Sequence, residues 1–143
     1  MNVCEDMNLQ SEIERNVAAA LNEDIGTADW TAMLTPEAQT SRAAVICRQD
    51  AVICGQAWFE LCFRKLDPAL QVTWHCKEGE RLERDARVCE LSGKSRALLT
   101  GERTGLNFLQ TLSAVATATR RYVERVAGTH AAIWLPSSSA ALS

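Results

Sequence analysis

The sequence predicts an α+β fold. Several short strands come before one long helical stretch, rather than alternating with helices of equal length. Residues 70–76 alternate strictly, with Leu70, Val72, Trp74 and Cys76 on one side and Gln71, Thr73 and His75 on the other, the period of a half-buried strand. From Ser95 to Val126 the apolar residues instead follow a helical period. A chain of 143 residues can bury a core without disulfides or metal. Its 47% apolar and 23% charged residues are the mixture of a soluble globular protein.

Taken in order, residues 11–22 read as an amphipathic helix through Ile13, Val17, Ala20 and Leu21, with Ser11 as N-cap and Glu14 closing a capping box. Residues 23–31, Glu-Asp-Ile-Gly-Thr-Ala-Asp-Trp-Thr, read as a loop turning at Gly26. Residues 42–49 and 51–55 read as short strands, with Gln49-Asp50 between them as a turn. Residues 56–66 return to the helical period, with Trp58, Leu61, Cys62 and Leu66 on one face. Asp67-Pro68 stops that helix, because the residue before proline is pushed out of the α region. A charged turn at 77–80 follows the strand at 70–76, and Val88–Leu91 forms another strand, ended by Ser92-Gly93.

In the long helical stretch, Leu98, Leu106, Leu109, Leu112 and Ala116 form one apolar stripe, and Arg103, Asn107 and Gln110 lie on the polar side. Glu102 falls inside the stripe, so it is expected to be buried and to need a hydrogen-bond or ion-pair partner. The small and β-branched run Ser113–Thr119 is where a break in the helix is expected, Gly128 ends the second piece, and 130–133 read as a short strand.

Charge and cysteine content exclude several classes of function. A net charge of −3 with dispersed basic residues gives no field for nucleic acid or an anionic membrane. The N-terminus lacks the basic start and apolar run of a signal peptide, and no apolar stretch spans a bilayer, so the expected location is cytoplasmic. The six cysteines include no Cys-x-x-Cys pair, and the two histidines sit at no zinc-finger spacing. Free thiols used as small buried hydrophobes are therefore expected, with no metal site. Phosphate-loop, dinucleotide-loop and zincin motifs are missing.

The segment Leu98–Thr119 is similar to a family signature. Leu-Leu-Thr-Gly-Glu-Arg-Thr-Gly-Leu-Asn, continuing to Leu-Ser-Ala-Val-Ala-Thr-Ala-Thr, resembles the quinolinate phosphoribosyltransferase pattern L-L-x-x-E-R-T-x-L-N followed by L-S-G-I-A-T-x-T. Residues 23–31 resemble that family's E-D-x-G-x-G-D-x-T, and residues 79–96 resemble its glycine-bearing segment ending in arginine. The resemblance runs from about Ile13 to Ile133. It implies the N-terminal α/β sandwich (hammerhead-like) domain of type II phosphoribosyltransferases, followed in the family by an α/β barrel. The activity it implies joins quinolinate to phosphoribosyl pyrophosphate, giving nicotinate mononucleotide, pyrophosphate and carbon dioxide in NAD biosynthesis. Magnesium accompanies the pyrophosphate, and a homodimer or an assembly of dimers is implied. The one site residue that carries over is Arg103, which would reach the quinolinate of the partner subunit. Its planar, always charged guanidinium suits a dicarboxylate. No catalytic residue and no metal ligand carry over to this chain.

The departures are also specific. Ala114 and Ala28 stand where the family has glycines, and after Ile133 the family's D-T-R-K-T segment is replaced by Trp134-Leu135-Pro136-Ser137 and a serine-rich run. The expected organisation is an extension at 1–12, the N-terminal domain at 13–112, the start of a truncated barrel domain at 113–133 and a non-family tail at 134–143, from truncation or a frameshift. Without the barrel's cations these residues alone are expected to be inactive. Two other readings stand beside this one. A stand-alone lipoyl- or biotinyl-like carrier or interaction domain would use Lys77 or Lys94, and a related phosphoribosyltransferase-like protein would act on another substrate.

Overall fold

The computed structural model describes residues 3–130, leaving out the side chains of 3–7, 26–29 and 31. The elements are α1 (Val3–Met33), β1 (Thr40–Ile46), β2 (Ala51–Val52), α2 (Gln56–Leu66), β3 (Gln71–Trp74), β4 (Arg81–Leu82), β5 (Arg87–Lys94) and α3 (Ser95–Val126). β1, β5 and β3 form an antiparallel sheet in that order, and β2 pairs with β4 separately. The α+β expectation holds.

Helices α2 and α3 cover one face of the sheet, and α1 lies across the two helices. The α2 helix is buried on two sides. Phe59 and Phe63 join Val88, Cys89, Leu91, Leu98 and Leu109 in the core against the sheet. On its other side Cys62, with Trp58 and Leu61, meets Ile13, Val17 and Leu21 of α1. The sequence pattern identified only that second side. Phe59 packs edge-on to Trp74 at 5.3 Å between ring centroids and against Phe63 at 5.0 Å. Both phenylalanines are almost wholly buried, each contributing roughly 1.5–3 kcal/mol by leaving water.

The strand at 70–76 has the alternation read from the sequence, with Leu70 and Cys76 buried and Gln71, Thr73 and His75 exposed. Strand β5 runs past the expected stop through Gly93 to Lys94. At Gly93 a Cβ would come within 3.2 Å of the Leu70 backbone, so the close approach of β3 and β5 excludes a side chain there. The five described thiols, Cys47, Cys54, Cys62, Cys76 and Cys89, are all free. Burial pushes Cys62 and Cys89 up to about 12 from the usual 9.0, so they serve as packing atoms and not as nucleophiles.

Three expectations need correction. Residues 23–31 are not a loop. The α1 helix begins at Val3 and continues through them to Met33, so Ser11 lies inside the helix instead of capping it. The buried row Ile13, Val17 and Leu21, continued by the half-buried Asp24 and Ile25, keeps a helical face on α2 and α3 beyond residue 22. That packing outweighs the turn preference of Gly26 and Asp29, which is a weak local prior. The expected break at Ser113–Thr119 is also missing, because α3 is continuous to Val126. Third, Glu102 is exposed. The expected strand at 130–133 falls mostly outside the described residues, as does the tail at 134–143.

Candidate functional site

The helix carrying the motif is α3, and its rotation is set by residues that an apolar count passes over. Gly101 and Gly105 are buried against α2. A Cβ on Gly101 would sit 2.7 Å from a ring carbon of Phe63, and one on Gly105 would sit 2.8 Å from it. Thr104 is 1% exposed and donates its hydroxyl to the Asp24 carboxylate on α1 at 2.6 Å. The Glu-Asp segment at 23–24 and the Glu-Arg-Thr segment at 102–104 therefore meet. Their shared chemistry is a structural lock between α1 and α3. With glycine turned inward, the buried row is Ala97, Leu98, Gly101, Thr104, Gly105, Leu109 and Ser113. This rotates Glu102 out of the core to the rim of a groove, which corrects the expected phase.

The same rotation sends Arg103 outward, together with Asn107 and Gln110, all three exposed. Arg103 makes no hydrogen bond or ion pair among the described residues. Many other cations are engaged: Arg15, Arg64, Arg81, Arg84 and Arg87 sit near carboxylates, and Arg96 donates to the Thr35 carbonyl at 2.5 Å. Arg103 and Asn107 are one helical turn apart, so their side chains are neighbours. The arrangement offers a rigidly based guanidinium and an amide to an anion. It can bind and orient, and these groups supply no acid–base pair.

The Ser-Ala-Val-Ala-Thr segment at 113–117 has a structural role that the sequence did not reveal. Ser113 accepts from the Cys54 N–H at 3.0 Å and donates to the Cys54 carbonyl at 3.2 Å. Thr117 accepts from the Val52 N–H at 2.9 Å and donates to the Ser113 carbonyl at 2.6 Å. Two hydroxyls thus bond the backbone of Val52 in β2 and of Cys54 just beyond it. Nearby, Glu78 accepts from the Gly55 and Gln56 N–H groups at 2.6 and 3.1 Å. The turn at 77–80 thereby supplies the anion at the N-terminus of α2. Gly55 holds φ +99 there, and a Cβ on it would meet Leu112 at 2.7 Å.

Two adjoining cavities of about 310 and 710 Å³ lie between β1 and α3 and share Ala44, Val45 and Leu106. The larger is lined by residues such as Ile46, Ile53, Val88 and Ala118, together with Arg48 and Arg121. Among the described residues no group of three or more His, Cys, Asp or Glu side chains could hold a metal ion. No helix among them is long and apolar enough to cross a membrane.

An antiparallel sheet covered on one face by two helices, with the exposed motif arginine on the second, defines a small α+β domain. A profile described as "Quinolinate phosphoribosyl transferase, N-terminal domain" matches residues 29–113, and the chain belongs to that family. It is 38% identical over 101 residues to a probable nicotinate-nucleotide pyrophosphorylase [carboxylating] of Bacillus subtilis (strain 168), covering 71% of this chain and 35% of the relative. A chloroplastic nicotinate-nucleotide pyrophosphorylase of Arabidopsis thaliana is 32% identical over 111 residues, covering 76% of this chain and 32% of the relative. The solved nicotinate-nucleotide pyrophosphorylase of Francisella tularensis superimposes with a TM-score of 0.76 at 38% identity, over 80% of this chain and 40% of that one. The NadC structure of Streptococcus pyogenes gives the same TM-score, 0.76, at 31% identity over 80% of this chain and 41% of that one. The chain spans about a third of the length of the curated relatives it matches. The family match sets aside the carrier reading built on Lys77 and Lys94.

Proposed function

We propose that this domain serves a quinolinate phosphoribosyltransferase, with Arg103 as its contribution to the substrate site. The observation that carries the reading is the exposed guanidinium of Arg103, without a partner among the described residues, in the Glu-Arg-Thr-x-Leu-Asn segment on a helix fixed by Gly101, Thr104 and Gly105. A guanidinium held on a rigid base recognises a carboxylate through two parallel hydrogen bonds. Quinolinate offers two adjacent carboxylates.

In this reading a homodimer, or an assembly of dimers, lets Arg103 of one subunit reach the quinolinate held by the other. Phosphoribosyl pyrophosphate and its magnesium are bound by elements beyond the N-terminal domain, which we place at residues 13–112. No described cluster here suits the ion, and no step is assigned to it on this chain. Phosphoribosyl transfer, loss of carbon dioxide and release of pyrophosphate belong to those elements, so these 143 residues alone turn over no substrate. A cytoplasmic setting completes the reading.

The test is a chimera joining residues 1–130 to the remaining length of the Bacillus subtilis relative. Arg103→Ala in the chimera should lower kcat/KM for quinolinate roughly 30- to 5,000-fold, equivalent to losing about 2–5 kcal/mol from a buried charge pair. Arg103→Lys should recover only part of that, because an ammonium lacks the fork. Unchanged quinolinate kinetics in Arg103→Ala would end the assignment.

A further inference from the structure

We propose that Asp24 of α1 is a positioning residue for the quinolinate site: through Thr104 it holds the roll of α3, and with it the direction in which Arg103 leaves the helix. The inference rests on the reading of Arg103 given above, and it gives the Glu-Asp segment at 23–24 a task in that reading.

The threonines of α3 differ in what their hydroxyls do. A threonine inside a helix can donate to the carbonyl four residues back. Thr117 and Thr119 do so, to Ser113 at 2.6 Å and to Val115 at 2.8 Å. Thr104 is turned away from solvent, 1% exposed, and donates across to Asp24 at 2.6 Å. Asp24 is half-buried and follows Val17 and Leu21 on the packed side of α1. Cys62 of α2 is near it, since that thiol is pushed up by burial and, to a lesser degree, by the Asp24 charge. The carboxylate therefore sits where the three helices meet.

A half-buried charge costs desolvation, and for stability alone an apolar side chain there would do as well. What the carboxylate adds is direction. Gly101 and Gly105 lie against Phe63. They let α3 come close to α2 but give it no side-chain knob against rolling. The hydrogen bond is directional and charge-assisted, and it acts on the residue next to Arg103. About 100° of helix separates neighbouring side chains, so Thr104 pinned inward fixes Arg103 outward. A roll of about 10° moves a group about 6 Å from the helix axis by about 1 Å. A misplacement of that size can cost about 100-fold in rate.

Kinetics of the chimera described above test this with Thr104→Val, which keeps the shape and removes the hydroxyl, and with Asp24→Ala. Each should lower kcat/KM for quinolinate about 10- to 100-fold, while KM for phosphoribosyl pyrophosphate stays within about twofold. Thr104→Ser restores the donor and should return to within about threefold of the parent. In the Arg103→Ala background, Thr104→Val should add less than about a twofold loss, because the group it positions is gone. A general loss of folded enzyme would instead act equally in both backgrounds and on both substrates. If Thr104→Val does not fold, Asp24→Asn, which keeps an acceptor of the same shape, takes its place, and its loss should likewise vanish without Arg103. A damaging Arg103→Ala beside harmless Thr104→Val and Asp24→Ala overturns this inference and leaves the Arg103 reading standing. Losses that multiply independently in the double variant overturn it as well. A harmless Arg103→Ala ends both.

Discussion

The two halves of α3 have the same secondary structure and opposite surroundings. From Ser95 to Ser113 the helix buries eight residues, contacts α1, α2 and the sheet, and carries the family segment. From Ala114 onward its side chains are mostly exposed, including Val115, Tyr122 and Val123. The inner half is held by contact, glycine against phenylalanine and hydroxyl against backbone. Among the described residues, the outer half makes one side-chain hydrogen bond to another element, from the Val52 N–H of β2 to the Thr117 hydroxyl. The Arg103 side chain projects from the held half, so its direction is set by the core and not by its own contacts.

The largest test of that comparison is at Gly101. Gly101→Val forces branched atoms into the Phe63 ring, where even a Cβ would be 2.7 Å from the nearest carbon. The ring is itself 1% exposed and packed on Phe59, so it has little room to move. Overpacking of this kind costs about 1–3 kcal/mol, and the upper end is expected here. Urea unfolding followed by far-ultraviolet dichroism reads it as a lower midpoint at unchanged slope. A midpoint equal to the parent's would mean that α3 is not held through its glycines.

A smaller effect is expected at the junction of the halves. Ser113→Ala removes both hydrogen bonds to Cys54 and leaves a partly buried N–H and carbonyl to find other partners. The expected loss is about 1–2 kcal/mol. Faster exchange of the Cys54 amide should accompany it, with β3 unaffected. If stability falls while the Cys54 amide keeps its protection, the hydroxyl acts on something other than the Cys54 backbone.

These contacts also explain which parts of the molecule could be read from the sequence. The strand at 70–76 was legible because one of its faces is buried and the other wet. The α2 helix was legible in extent, but its Phe59 side was missed because a helix buried on two faces has no single stripe. Glu102 was placed in the core because the stripe was drawn through leucines, whereas Gly101 and Gly105 present no side chain and still define the contact face. The motif arginine was legible as a resemblance. Its exposure, with no partner among the described residues, was not, since that depends on which way the glycines turn the helix. The lock between Thr104 and Asp24 joins residues eighty positions apart, beyond the reach of any local pattern. Ser113 and Thr117 looked like a helix break because small and β-branched residues weaken helices, and their hydroxyls instead find the backbone of a neighbouring strand.

The smallest expected effect is on the outer half. Tyr122→Ala and Val123→Ala replace exposed side chains with a better helix former. Tyr122 is 61% exposed and Val123 is 41% exposed, and neither lines the two larger cavities. Each change should therefore leave the unfolding free energy within about 0.5 kcal/mol of the parent. The pair of substitutions separates two views of this arm. If the arm is supported only by its own backbone and by Thr117, alanine is neutral or slightly favourable, and the midpoint stays or rises. If Tyr122 and Val123 are covered in solution by another surface, the double change exposes the cover as well and the midpoint falls with a dependence on protein concentration. The first outcome keeps the division at Ser113 as drawn, and the second moves the held part of α3 outward to residue 123.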